Sequence, residues 1–102
     1  MTAARPQRTI VRKEMGITHR EFYAKLPELL GDTPYQRDGQ VIRFQRNGKT
    51  IEISLGAEGF RELSRSIRLP VTPVSICFFD FDEAAISSFI EYFNLRFLKG
   101  GG

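Results

Sequence analysis

The chain of 102 residues is 41% hydrophobic and 26% charged, with a formal net charge of +3 at pH 7. That length supports one domain burying roughly 60–70% of the surface its unfolded chain would expose, and the balance of apolar to charged residues argues against wholesale disorder. Apolar runs are short and broken by charge, which excludes a membrane-spanning helix, and the start Met1-Thr-Ala-Ala-Arg-Pro-Gln-Arg8 offers no apolar stretch for a signal peptide.

Residues 1–7 read as a loose tail containing Pro6. From Arg8 to Met15, β-branched residues and partial alternation predict a first strand, which Gly16 ends. Thr18-His-Arg-Glu21 has capping-box spacing, and Ile17 and Phe22 flank it as a hydrophobic staple. Phe22, Leu26, Leu29 and Leu30 then share one helical face. Pro27 removes a backbone donor and crowds the preceding turn, so a kink or early end is expected there, with Gly31 as the stop.

Asp38-Gly39 and Asn47-Gly48 are two-residue hairpin signals, since both pairs tolerate the positive φ of a type I′ turn. They predict a meander from about Pro34 to Leu55 in which Phe44 faces Ile51, and Ile42 lies between Ile53 and Tyr35. On the other face Arg43 opposes Glu52 and Gln45 opposes Thr50. Residues 56–69 fit two patterns. Phe60, Leu63 and Ile67 have helical spacing, whereas Leu63, Ile67 and Leu69 share strand parity, and a strand from about Glu62 to Leu69 is favoured. Pro70 and Pro73 are expected to separate it from a central strand, Val74 to Phe79, that is too apolar for an edge. The last helix begins at Asp82, an N-cap followed by Glu83 in the first turn. Its apolar face comprises Ile86, Phe89, Ile90, Phe93 and Phe97, with Arg96 and Lys99 toward its end and Gly100 as the stop.

The chain thus reads as a single α+β domain over residues 8–99, with a glycine tail at 100–102. The order β-α-β-β-β-β-α calls for a two-layer fold, an antiparallel-rich sheet with both helices on one face. In topology this order resembles one repeat of the TATA-binding-protein architecture, although no motif of that protein is present.

Asp80-Phe81-Asp82 follows an apolar strand, and in that it resembles the paired aspartates of haloacid-dehalogenase-type phosphatases. Ala84 stands where that motif has Thr or Val, and the twenty residues after Asp82 are too few for the downstream Lys and metal-binding acids. A strand end followed by an N-cap is the better reading. Gly100-Gly101-Gly102 resembles the diglycine end of ubiquitin-like sulfur carriers, yet it follows a helix rather than a strand, so a helix C-cap is preferred. His19 is the single histidine, which excludes a His-based metal cluster, and it reads as an exposed residue of the first helical turn. Cys77 is the single cysteine. It rules out an internal disulfide or a cysteine-based zinc site, suits a reducing cytosol, and is expected to pack mid-strand as a small apolar group. There is no Gly-rich phosphate loop and no Ser-centred elbow. Accordingly no catalytic residue, metal or cofactor is assigned, and enzymatic activity is not expected.

What is left is surface. Residues of the Val74–Phe79 strand alternate between two faces, so Phe78 and Phe79 must point to opposite sides. The expected interaction face is the one away from the helices, carrying Val41, Arg43, Gln45, Cys77, Phe79 and Phe81. Arg61, Arg65 and Arg68 form a candidate basic patch. The favoured reading is a small non-catalytic cytoplasmic protein of bacterial type that uses this face to dimerise or to bind a protein partner. One alternative is a single-stranded nucleic acid, with Phe79 stacking on bases and Arg43, Arg46, Arg61, Arg65 and Arg68 on phosphates. Another is a small ligand held between sheet and helices by Phe22, Phe44, Phe89 and Phe93.

Overall fold

Along β1 (Arg8–Met15) the side chains are exposed and half-buried by turns, as expected of a strand with one face on a core. In the computed structural model, which describes residues 7–100 apart from the side chains of 98–100, β1 leads to α1 (His19–Leu30), β2 (Tyr35–Asp38), β3 (Val41–Arg46) and β4 (Lys49–Leu55). Then follow β5 (Gly59–Glu62), β6 (Arg68–Phe79) and α2 (Glu83–Gly100). The strands form one antiparallel six-stranded sheet in the order β1-β6-β4-β3-β2, with β5 paired to the start of β6. Two helices cover one face, giving the two-layer α+β fold. Gln7, expected in the tail, is tied by its backbone to Asp80, while residues 1–6 and the glycines 101–102 lie outside the described residues. No helix among the described residues is long and apolar enough to cross a membrane.

The capping box forms as the spacing predicts: the Glu21 amide donates to Thr18 Oγ1 at 3.0 Å, and the Thr18 amide to Glu21 Oε1 at 2.9 Å. Pro27 does not end α1. It lies on the exposed side of the helix, where the Tyr23 carbonyl deprived of its helical donor can turn to water. The helix closes at Gly31 (φ 57°), whose amide donates to the Pro27 carbonyl at 2.8 Å.

The second hairpin turn is as read, with Asn47 and Gly48 both at positive φ (53° and 77°), the type I′ pattern. The first is shifted. Asp38 pairs with Val41, so the turn residues are Gly39 and Gln40 rather than Asp38 and Gly39, and of these only Gly39 has positive φ (62°). A glycine at the first central position suits a type II′ turn. Tyr35 therefore sits opposite Phe44, not Ile42. The shift is two residues, so every side chain keeps its expected face.

Residues 56–69 depart furthest from expectation. The strand anticipated at Glu62–Leu69 is instead split between β5 and the start of β6, with a turn at Ser64–Ile67 closed by backbone bonds of 3.4 Å. The helices thus enclose five strands rather than four. From Leu55↔Val74 to Gly59↔Val71, three residues (56–58) oppose two (72–73), a bulge that makes β5 a continuation of β4. Strand β6 runs unbroken through both prolines. Since Gly56 N–H donates to the Pro73 carbonyl at 2.8 Å, the backbone of Pro73 faces the bulge, beyond the last residue of β4. Pro70, three residues earlier, faces the opposite side, past the end of β1 at Met15↔Thr72. Neither proline interrupts a regular ladder, so both are tolerated. Together β5, the turn and the start of β6 form a two-stranded arm.

The core lies between sheet and helices. Ile42, Phe44, Ile51, Ile53, Val74, Ile76 and Phe78 from the strands meet Phe22, Leu26 and Leu29 of α1 and Phe89, Phe93 and Phe97 of α2. The aromatic rings pack on one another: Phe22 on Phe97 with centroids 4.9 Å apart, and Phe78 edge-on to Phe89 at 5.6 Å. The four rings considered for a ligand, Phe22, Phe44, Phe89 and Phe93, belong to this packed layer. The buried Thr72 hydroxyl donates to the Ile17 carbonyl at 2.7 Å, joining β6 to the approach to α1.

Candidate interaction surface

Register decides what the helix-free side of the sheet carries. In β6, Thr72, Val74, Ile76 and Phe78 are buried, so Pro73, Ser75, Cys77 and Phe79 face outward. Pairing extends this across the sheet: Arg8 lies beside Phe79, Ile10 beside Cys77, and Cys77 beside Glu52, which is opposite Arg43. Val41 and Gln45 are on the same side, so Val41, Arg43, Gln45, Cys77 and Phe79 share one face. Arg43 Nε donates to Glu52 Oε2 at 2.6 Å. Beside Phe79 lies a shallow hollow of about 440 Å³ lined by Arg43, Lys49, Thr50, Glu52 and Asp80.

Phe81 does not belong to this face. It is buried, edge-on to Phe78 with centroids 5.4 Å apart. Asp80 is the reason. Its φ of 62° is left-handed, which breaks the two-residue alternation after Phe79 and turns the next side chain into the core. Asp80 and Asp82 both act on backbone here: Asp80 Oδ1 accepts from Gln7 N at 2.8 Å, and Asp82 Oδ1 accepts from Ala85 N at 2.7 Å in the expected N-cap.

Cys77 is half-buried in the middle of the outer face rather than sealed in the core. Partial burial pushes its thiol up from the ordinary range, opposed by the Arg8 cation and reinforced by the Glu52 carboxylate. His19 is likewise not a bare surface residue. Its Nε2 lies 2.6 Å from the Gly56 carbonyl oxygen, and its amide donates to Glu58 Oε1 at 2.7 Å.

The arm gathers the three arginines of the basic patch but gives each a different neighbour. Arg61 pairs with Glu14 at 3.2 Å, with both side chains well exposed; Arg68 lies over the Phe60 ring at 4.9 Å; and Arg65 occupies the turn. Beside them are four of the seven exposed large apolar side chains of the described residues: Phe60 at 60%, Leu63 at 58%, Ile67 at 51% and Leu69 at 44%. Leu63 donates its amide to the Ile67 carbonyl, and Leu69 and Val71 continue the outward parity of Cys77 and Phe79 along β6. An apolar line therefore runs from the tip of the arm onto the outer face of the sheet. Sequence reasoning missed it because the strand expected from Glu62 to Leu69 ran Leu63 and Ile67 together in one element instead of placing them on either side of a turn. The overlooked signal was Ser64-Arg65-Ser66 between them, a polar turn between two apolar residues.

No protein-family model matches this chain, and comparison with curated proteins and with solved structures gives no match.

Proposed function

We propose that this chain is a non-catalytic protein-interaction module whose contact surface runs along the outer side of β6, from Leu63 and Ile67 at the arm tip through Leu69 and Val71 to Cys77 and Phe79. The observation carrying this reading is the concentration of exposed apolar side chains on an arm with no core to receive them. A two-stranded hairpin is marginal by itself, and an apolar patch of this kind on a folded domain marks a surface that another molecule covers. Arg8 beside Phe79 and Arg65 at the tip favour a protein surface that adds acidic residues to an apolar centre.

A second reading rests on the same arginines. Arg61, Arg65 and Arg68 with Phe60 would offer phosphate contacts and a stacking ring to a single-stranded nucleic acid. The two readings separate by photo-crosslinking from a benzophenone side chain placed at position 63 in cells. A discrete protein adduct, whether to a second copy or to another polypeptide, that disappears on Leu69→Ser supports the module. An adduct removed by nuclease transfers the surface to nucleic acid, and the absence of any adduct overturns both.

A further inference from the structure

Strand β1 is a margin of the sheet. It pairs with β6 along its full length on one side, and among the described residues no strand pairs with the other. Two backbone bonds fix which of its groups face outward. Asp80 N–H donates to the Gln7 carbonyl at 2.7 Å, and Gly56 N–H to the Pro73 carbonyl at 2.8 Å. In a strand the N–H and C=O of one residue point the same way, and successive residues alternate. Gln7 therefore points toward β6, as do Thr9, Val11, Lys13 and Met15. Pro73 points away from β1, so Thr72, Val74, Ile76 and Phe78 point toward it, and the two deductions agree with the observed register. The free margin is consequently made of the N–H and C=O groups of Arg8, Ile10, Arg12 and Glu14.

We propose that two copies of this chain join β1 to β1 in antiparallel fashion, about a two-fold axis passing beside Val11 and normal to the sheet. Only a two-fold in that direction makes the strands antiparallel with all helices on one side, and it requires residues of equal parity to face one another. Four centres are compatible with a strand of this length. Centring on Ile10 sets Arg8 against Arg12, centring on Arg12 sets Arg12 against itself, and centring on Lys13 does the same to Lys13. Centring on Val11 sets Arg8 against Glu14 twice, Ile10 against Arg12 twice, and Thr9 against Lys13. It alone places no like charges opposite each other, and it alone brings all four margin residues, Arg8, Ile10, Arg12 and Glu14, into the joined stretch.

Hydrogen bonding agrees with the charge pattern. With Val11 on the axis, the facing pairs 8:14, 10:12, 12:10 and 14:8 all consist of margin-pointing residues, and each exchanges two bonds, about eight in total. Val11 meets its own copy as a non-bonded pair, the closer of the two spacings in an antiparallel ladder, on the face where it already packs at the border of the core. Charged residues on a sheet margin ordinarily deter added strands. Here the order of signs makes the deterrent selective: the strand rejects other registers and fits a second copy of itself.

Sedimentation equilibrium on the full chain tests this, using the wild type, Arg8→Glu, Glu14→Arg and the doubly exchanged R8E/E14R protein. Arg8 and Glu14 are both exposed. The Arg61–Glu14 pair that Glu14→Arg gives up is itself well exposed, a kind of ion pair that contributes little to stability. The exchanges therefore leave folding intact, which circular dichroism verifies. Each single exchange creates two like-charge oppositions and is expected to weaken dimerisation by roughly tenfold or more. The double exchange restores it. Mixing the two single variants is the sharpest arm. Each fails with itself, but together the acids at positions 8 and 14 of one strand face the bases at positions 14 and 8 of the other, so a heterodimer forms. Arg12→Pro, which removes a margin donor that no strand uses in the single chain, likewise leaves monomers. A monomeric wild type overturns the proposal, as does a mixture that forms no heterodimer. So does a dimer that survives Arg8→Glu and is lost in Ile67→Ser, which would move self-association to the arm and leave the interaction-module reading standing.

Discussion

His19 supplies to Gly56 the hydrogen bond that Pro73 cannot. The Gly56 amide donates to the Pro73 carbonyl at 2.8 Å, which is half of an antiparallel pair. The other half would be the residue 73 N–H donating to the Gly56 carbonyl, and proline has no such group. Instead the imidazole Nε2 of His19 reaches that oxygen at 2.6 Å. The start of α1 is thereby attached to the bulge that begins the arm, and a carbonyl between two layers is satisfied.

His19→Ala is expected to lower stability by about 1 kcal/mol, the usual net value of one hydrogen bond. In a Pro73→Ala background the restored amide competes for the same oxygen, so the cost of removing His19 shrinks. A double-mutant cycle by urea denaturation measures this coupling; fully additive effects would contradict the compensation.

Gly56 itself is held to a small residue by packing. A Cβ there would lie 3.2 Å from both Cβ and Cγ of Pro73, closer than ordinary van der Waals contact. Gly56→Ala should therefore cost about 1–3 kcal/mol as overpacking. Pro73→Ala relieves it only in part, since it removes Cγ and Cδ but keeps Cβ, whereas Gly59→Ala meets open space and has little effect. Urea midpoints of the three variants check the contrast.

Asp80 combines a left-handed backbone with a side-chain bond to Gln7. Asp80→Gly loses the bond but relaxes the backbone, while Asp80→Ala loses the bond and keeps the strain. The alanine variant is expected to be the less stable of the two by about 1 kcal/mol, or roughly 4–8 °C in Tm for a domain of this size. Asp80→Asn stays nearest the wild type.

Core and arm should respond oppositely to truncation. Phe89 is 2% exposed and packs on Phe44, Phe78 and Phe93, so Phe89→Ala is expected to cost about 3–5 kcal/mol. Leu63→Ser removes a side chain that is mostly in water, and its effect on stability should fall within about 0.5 kcal/mol. Thermal unfolding of both, beside the crosslinking yield for an arm variant, separates folding from association.

Cys77 should alkylate slowly near neutral pH, because partial burial disfavours its thiolate. Its rate rises as pH climbs through the elevated ionisation. The Arg8 cation works against that elevation and the Glu52 carboxylate for it, so Arg8→Ala slows iodoacetamide reaction at fixed pH and Glu52→Gln speeds it. Reversed signs would show that the outer-face register places different neighbours around the sulfur.

Many local signals were legible where one element determined the outcome, although the Asp38-Gly39 turn was misplaced. Thr18 and Glu21 announced the capping box, Asn47-Gly48 its turn, and Phe22, Phe89 and Phe93 their burial, because each depends on spacing within a few residues. The Arg43–Glu52 pair followed from one turn. Positions ruled by distant partners were not legible in the same way. Pro73 within a strand is acceptable only because β4 has ended and His19 replaces a donor, and nothing near Pro73 in sequence says so. Phe81 was assigned to the outer face by continuing an alternation that the φ of Asp80 interrupts. Leu63 and Ile67 were placed in one continuous strand because apolar periodicity reveals neither where the chain reverses nor whether a facing layer exists. Five members of the anticipated outer face do lie together, since β6 alternates as read.

The two margins of the sheet are unequal. Strand β1 has eight residues, whereas β2 has four and follows Pro34. A two-fold through β1 consumes the long margin of both copies and leaves only the short ones at the ends of the joined sheet. Growth by successive addition of strands would need a second margin able to hold another chain in register, and four exposed residues behind a proline provide little purchase. The assembly this asymmetry implies is a closed pair and not a fibre, so raising the concentration should bring the mass to a plateau at twice that of one chain.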